Sequence, residues 1–269
     1  DLMESKCNWI TAAPSFYTAG VAQGLIAPNA FENVTRPSSG GEPVTKSNVV
    51  LIDNWLKMNG CKTRFSIGGG AAEDGSSTIC SYFMDEETKT NETGHPVEPG
   101  IIAKIVDENG KIVPKGTRGF LHVSSAAAAD RYLNDPEATR KRWYYDENHI
   151  RWGVTGDIAV QNPDNSYNIL GRASDSCYDE AGNIIYLFDI EYSLESMDPV
   201  IEWEITAHQD INGKNYIVGQ VVPKNECIGE EDMIVEYMCN KYHLDAIKIY
   251  DKFESSEVTG KRDFKKLKA

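Results

Sequence analysis

The sequence predicts a mixed α/β plus α+β protein: the edge of a parallel α/β unit over residues 1–93, a small β-rich unit over 94–172, and a compact α+β unit over 173–269. Three observations predict it. A strand, a helix and a second strand follow one another early in the chain, the order that one edge of a parallel sheet requires. After Gly94 the texture changes to short alternating segments between glycine and asparagine turns. Beyond Arg172 the order becomes αββαβ, the pattern of a small α+β domain.

Residues 9–25 run apolar with small side chains, and Ala13-Pro14-Ser15-Phe16-Tyr17 reads as a strand end entering a helix that carries Gly20 and Gly24. Residues 36–43, Arg-Pro-Ser-Ser-Gly-Gly-Glu-Pro, read as a glycine-containing turn. A helix follows, with Val49, Leu51, Ile52, Trp55, Leu56 and Met58 on one broad apolar face and Gly60 at its end. Residues 62–67 read as a short strand, and 68–75, Gly-Gly-Gly-Ala-Ala-Glu-Asp-Gly, as a flexible loop. In the second unit, 101–107 and 119–123 alternate across a turn at Glu108-Asn109-Gly110-Lys111. Asp135 followed by Pro136 marks a helix start, with the acid as N-cap and proline at the first helical position. In the third unit a helix over 188–197, strands over 200–207 and 216–222, and a helix over 230–242 are expected. Ile234, Val235, Tyr237 and Met238 of that helix read as inward. A last strand over 247–250 and a basic C-terminal helix complete the unit.

With 41% hydrophobic and 10% aromatic residues in 269, the chain is globular in composition. Its formal net charge of −14 makes the average surface repel phosphate backbones and anionic lipid heads, so nucleic acid and membrane surfaces are poor partners. No apolar run reaches the roughly 20 residues of a membrane span. The six cysteines show no CxxC pairing or metal-ligand spacing and read as free thiols in a reducing cytoplasm. The chain starts without an initiator Met, as a piece cut from a longer protein does.

Residues 154–175 draw the chemistry together. Ile158 and Val160, then Tyr167 and Ile169, alternate on two strands joined by Asn162-Pro163-Asp164-Asn165-Ser166. Thr155-Gly156-Asp157 stands at the entrance of this hairpin and Gly171-Arg172 at its exit. An acid and a base held in fixed relation suit a polyol or a phosphate ester.

Four signals line up in order: Gly-Gly-Glu-Pro at 40–43, the glycine loop ending in Glu73, Val-Thr-Gly-Asp at 154–157 with Gly171-Arg172, and Val-Thr-Gly-Lys at 258–261. Together with the segments 131–143 and 182–191, they resemble the C-terminal half of the adenylate-forming enzymes, the superfamily of acyl-CoA synthetases, firefly luciferase and nonribosomal-peptide adenylation domains. The resemblance implies that the β-rich unit is a distorted barrel and that the last unit is mobile. It also implies roles. Asp157 would accept from both ribose hydroxyls, which one carboxylate can do. Arg172 would offer its planar fork to ribose and phosphate oxygens. Gly41, Glu42 and Pro43 would line the adenine pocket, and Glu73 would be the oxygen ligand of the Mg2+ that accompanies ATP. Lys261 would be the catalytic residue, holding the attacking carboxylate and the charge on the reacting phosphorus. Ser174 and Asp175 fall at the hinge.

The chain departs from the family pattern at three places. Gly69 and Ala72 stand where an aromatic and a threonine are usual, and Ser174 stands where the family commonly has Asp or Lys. A glycine-rich phosphate loop, which the family carries upstream, does not occur. The expectation is therefore a fragment of an ATP-dependent acid–thiol ligase that does not complete catalysis alone. Its cofactors would be ATP/AMP, Mg2+ and coenzyme A or a carrier-protein phosphopantetheine, and its partners a small carboxylate and a thiol acceptor. Two other readings stand beside it: an amino-acid adenylation domain loading a carrier protein, and a degenerate homologue that binds a nucleotide or a partner without catalysis.

Overall fold

The computed structural model describes residues 2–24, 27–41, 44, 46–81, 94–97, 99–193 and 198–253. The chain divides into two compact units, Asp1–Gly171 and Arg172–Ala269. The fold is mixed α/β, with several sheets and few helices.

The first unit opens with a short helix α1 (Leu2–Ser5), strand β1 (Trp9–Ala12) and helix α2 (Pro14–Gln23). Pro14 fits the first helical turn because its missing N–H is an orphan there in any case. Gly24 closes α2 in the left-handed conformation, returning its N–H to the Gly20 carbonyl. Strand β2 (Arg36–Gly40), helix α3 (Lys46–Met58), strand β3 (Ser66–Ala71), strand β4 (Ser76–Cys80) and strand β5 (His95–Pro96) follow. They form a five-stranded sheet in sequence order, with β1–β2 and β2–β3 parallel and β3–β4 and β4–β5 antiparallel.

Helix α3 buries Val49, Ile52 and Leu56, spaced to share one face, against Tyr17, Phe31 and Phe65. Each fully buried aliphatic side chain of this kind contributes about 1.5–3 kcal/mol. The face is narrower than expected: Leu51 and Met58 are exposed and Trp55 is half-buried.

Two segments read from sequence as turn and loop are strands. Residues 36–40 form β2, and the triple glycine lies in β3 rather than in a flexible loop. The reason is close approach. Gly40 is registered with Gly68, and a Cβ on Gly40 would sit 2.6 Å from the Gly68 carbonyl oxygen, so side-chain periodicity is absent where the backbones must nearly touch.

The β-rich part contains strands β6 (Ile101–Val106) and β7 (Arg118–Ser125), helix α4 (Pro136–Arg142), and strands β8 (Trp143–Tyr145), β9 (Arg151–Gln161) and β10 (Tyr167–Arg172). Their sheet has the order β10-β9-β7-β6, with β8 added on β9. Ile79, Ile105, Leu121, Val123, Ala159 and Tyr167 form its core. Asp135 caps α4 as the sequence predicts, accepting from the Ala138 N–H at 2.8 Å. The β9–β10 turn closes through Asn162 N–H to the Ser166 carbonyl at 2.8 Å, with Asn165 at positive φ.

The second unit begins with a hairpin that sequence reading missed, β11 (Ser176–Tyr178) and β12 (Ile184–Tyr186). Helix α5 (Leu187–Glu191), strands β13 (Val200–Gln209) and β14 (Asn215–Pro223), helix α6 (Glu231–Tyr242) and strand β15 (Ala246–Ile249) follow. β13 and β14 are antiparallel, β14 and β15 parallel. On α6, Ile234, Met238 and Tyr242 are buried, whereas Val235 and Tyr237 are exposed, so only the i, i+4, i+8 stripe faces the sheet. Asp198, fully buried, is satisfied by Lys241 Nζ at 2.7 Å and by the Tyr237 and Tyr242 hydroxyls. No helix among the described residues is long and apolar enough to cross a membrane. All six cysteines are free.

Candidate functional site

Glu73 and Asp74 sit on a single 3-10 turn, Ala72–Asp74, that leaves β3 and ends at Gly75 with φ 88°. The turn is gripped by a strap formed by residues 125–142. Ser125 Oγ donates to the Asp74 carbonyl at 2.8 Å, and the Ala129 N–H donates to the Glu73 carbonyl at 2.8 Å. The Tyr132 hydroxyl donates to Glu73 Oε1 at 2.9 Å. Arg142 Nη2 reaches both Asp74 oxygens at 2.6 Å. Asp74 and Arg142 are 2% and 9% exposed, so this is a desolvated charge pair rather than a surface one. Burial pushes the Asp74 carboxyl up despite the guanidinium, which opposes the shift, while the Glu73 and Asp157 carboxylates add to it.

Asp157 lies in a bulge of β9. Val154 is registered with His122 and Ile158 with Phe120, so Thr155, Gly156 and Asp157 all stand opposite Leu121 alone. Thr155 Oγ1 donates to the Leu121 carbonyl at 2.9 Å and accepts from the Asp157 N–H at 3.0 Å, and Gly156 takes φ 80°. The entrance of the hairpin is thus a bulge within one strand.

The remaining expected residues are distributed as follows. Gly41 follows β2 at φ 81° and is exposed. Arg172 ends β10 and is exposed; in the second unit, the Asp175 N–H donates to its carbonyl at 3.0 Å, and Ser174 is exposed. Glu42, Pro43 and Lys261 lie outside the described residues. β9, the strand of Asp157, runs against the turn of Glu73: a Cβ on its Gly153 would sit 3.1 Å from Asp74 Oδ1.

Sequence reading missed Tyr132, Asp74 and Arg142. Arg142 carried one weak signal, a cation at the end of a short helix next to Trp143. It also missed His122, buried beside the site on β7, whose Nδ1 is 2.8 Å from the Tyr144 hydroxyl. Burial, and then the positive charges of Lys104 and Arg142, push this imidazole down to about 4. The unfolded chain therefore binds a proton near 6.5 that the folded chain refuses until about 4. Stability should rise by about 1–3 kcal/mol between those pH values and level off above them. Urea unfolding of wild type and His122→Gln across pH 4–7 checks this: the variant should lose that slope.

Among the described residues no group of three or more His, Cys, Asp or Glu could hold a metal ion by itself. The half-buried Glu73 carboxylate nevertheless fits Mg2+ of the kind that takes one or two protein carboxylates and completes its shell with substrate phosphates and water. Gly69, registered with Ile79 in β3, and the exposed Ala72 offer neither an aromatic face nor a hydroxyl at their positions.

Residues 1–133 match the family described as AMP-binding enzyme. The acyl-CoA ligase sidI of Aspergillus fumigatus is 28% identical over 203 residues, 75% of this chain and 33% of that protein. Tyrocidine synthase 2 of Brevibacillus parabrevis is 29% identical over 188 residues, 67% of this chain and 5% of that protein. The crystal structure of ATP-bound MatB from Rhodopseudomonas palustris shares the fold with a TM-score of 0.81 at 18% identity, covering 98% of this chain and 51% of that one. The chain thus spans a third of that ligase and about half of that neighbour. Residues 1–133 thus carry the pattern of the AMP-binding enzyme family, and the similarity to the acyl-CoA ligase supports the adenylate-forming superfamily for the chain.

Proposed function

We propose that the protein containing this chain is an ATP-dependent acid–thiol ligase of acyl-CoA synthetase type. The observation that carries the reading is that β9, the strand of Asp157, runs against the turn that bears Glu73, a Cβ on its Gly153 falling 3.1 Å from Asp74 Oδ1, in a chain whose residues 1–133 match the AMP-binding enzyme family. In the first step a carboxylate attacks the α-phosphorus of ATP, giving an acyl-adenylate and releasing pyrophosphate. Asp157, held out of the pleat by its bulge, accepts the two ribose hydroxyls, and Arg172 holds ribose and phosphate oxygens. Gly41, Glu42 and Pro43 line the adenine. Glu73 is the protein ligand of Mg2+, which when bound neutralises phosphate charge. Lys261 holds the attacking carboxylate and the charge developing at phosphorus.

In the second step a thiol, of coenzyme A or a carrier-protein phosphopantetheine, attacks the adenylate carbonyl, and AMP leaves. We divide the chain for this purpose at 1–93, 94–172 and 173–269, with the last part turning about Ser174 and Asp175 so that Lys261 serves only the first step. The acyl pocket and the phosphate loop belong to sequence upstream of this chain, so the chain alone is inactive. Free cysteines suit a cytoplasmic enzyme.

The similarity to tyrocidine synthase 2 favours a second reading, amino-acid activation for a carrier protein. Acid-dependent pyrophosphate exchange by the full-length protein, over a panel of carboxylic and amino acids, tests both. Exchange with a carboxylic acid, followed by thioester formation with coenzyme A, is expected. Exchange with amino acids alone selects the second reading, and folded protein that exchanges with no acid overturns both.

A further inference from the structure

The grip on the Ala72–Asp74 turn is tighter than its length explains. Two of its three residues receive contacts at four points from the strap: the Asp74 carbonyl from Ser125, the Glu73 carbonyl from Ala129, the Glu73 carboxylate from Tyr132 and the Asp74 carboxylate from Arg142. The first two hold the backbone and the last anchors the turn in the interior. The Tyr132 contact is the one of the four that is made to the Glu73 side chain.

Tyr132 is itself fixed before it reaches Glu73. Its N–H donates to Thr139 Oγ1 at 3.0 Å, and that hydroxyl donates to the Asp135 carbonyl at 2.8 Å, tying Tyr132 to the capped start of α4. Its ring packs on Trp143 with centroids 5.2 Å apart. A phenol already immobilised by backbone and ring loses little further freedom when it grips a carboxylate, so the contact orients Glu73 at low entropic cost.

A glutamate that meets a hard cation must present its oxygens in a defined direction, and an outer partner that fixes a ligating carboxylate tunes the affinity. We propose that Tyr132 is a positioning residue: its hydroxyl fixes the Glu73 carboxylate toward the divalent cation of the ATP complex, while the buried Asp74–Arg142 pair holds the turn that carries it. The proposal rests on the assignment of Glu73 made under Proposed function.

The test uses the full-length protein and compares ATP binding in the presence of Mn2+ with ATP binding in EDTA, by calorimetry, for wild type, Tyr132→Phe, Glu73→Gln and the double variant. Phe keeps the ring on Trp143 and removes only the hydroxyl. Tyr132→Phe should weaken Mn2+-dependent ATP binding about tenfold, the size of one lost hydrogen bond to a charged group, and leave binding in EDTA and the unfolding midpoint unchanged. The double variant should be no weaker than Glu73→Gln, because in this proposal the hydroxyl reaches the cation through that carboxylate. If Glu73→Gln loses the Mn2+-dependent part and Tyr132→Phe keeps it, the positioning role is overturned. Equal losses with and without cation from Tyr132→Phe also overturn it, since a structural lesion would do that. If Glu73→Gln itself binds Mn2+ and ATP like wild type, the metal assignment fails and the proposal falls with it.

Discussion

Lys261→Ala should lower acid-dependent pyrophosphate exchange of the full-length protein by about two to three orders of magnitude, the range seen when one preorganised donor to a developing charge is removed. The thermal unfolding midpoint should stay close to that of wild type, which separates a lost reaction step from a lost fold. The expectation follows from the chemistry of the first step. In the proposed step charge would build on the phosphoryl oxygens as the carboxylate attacks, and a lysine ammonium is a compact point charge suited to meet it. Thioester formation from chemically prepared acyl-adenylate should be spared, because Lys261 is assigned to adenylation only. A variant that exchanges at the wild-type rate would remove Lys261 from the mechanism.

The second large effect is on stability. Arg142→Met should destabilise the fold by about 3–5 kcal/mol in urea unfolding at pH 7, because it strands the Asp74 carboxylate in the interior. Replacing both partners, Asp74→Leu with Arg142→Met, should recover most of the loss, since two apolar groups leave no uncompensated charge. The pH dependence supplies an internal check. Burial already raises the Asp74 carboxyl, and without the guanidinium it rises further. In the single variant the folded state then holds a proton that the unfolded state releases near 4, so the penalty should be smaller at pH 4 than at pH 7. A loss below about 1 kcal/mol at pH 7 would show that the pair behaves like an exposed one.

The features legible in the sequence are those written locally. Asp135-Pro136 announces α4 because a cap and its proline are adjacent, and the Asn162–Ser166 turn is legible because its residues bond to one another. The β13–β14 hairpin is read the same way, from short runs. What failed depended on distant partners. The triple glycine of β3 looks like a loop until Gly40 is laid against Gly68, since a strand without side chains has no period to read. Outward-facing Val235 and Tyr237 look inward because residue type alone does not fix the phase of a helix. Tyr132 lies 59 residues from Glu73 and Arg142 lies 68 from Asp74, and nothing in either neighbourhood marks the other.

The bulge in β9 also governs how this strand tolerates change in length. Between the pairs His122–Val154 and Phe120–Ile158 the partner strand advances two residues and β9 advances four. The excess is even, so the pleat keeps its parity and residues after the bulge keep their inward and outward faces. Removing one residue there would turn the following stretch inside out, exposing Ile158 and burying its polar neighbours. Removing two would restore an ordinary ladder that lacks the acid. The bulge that carries Asp157 is thus separated from a plain ladder by two residues, never one.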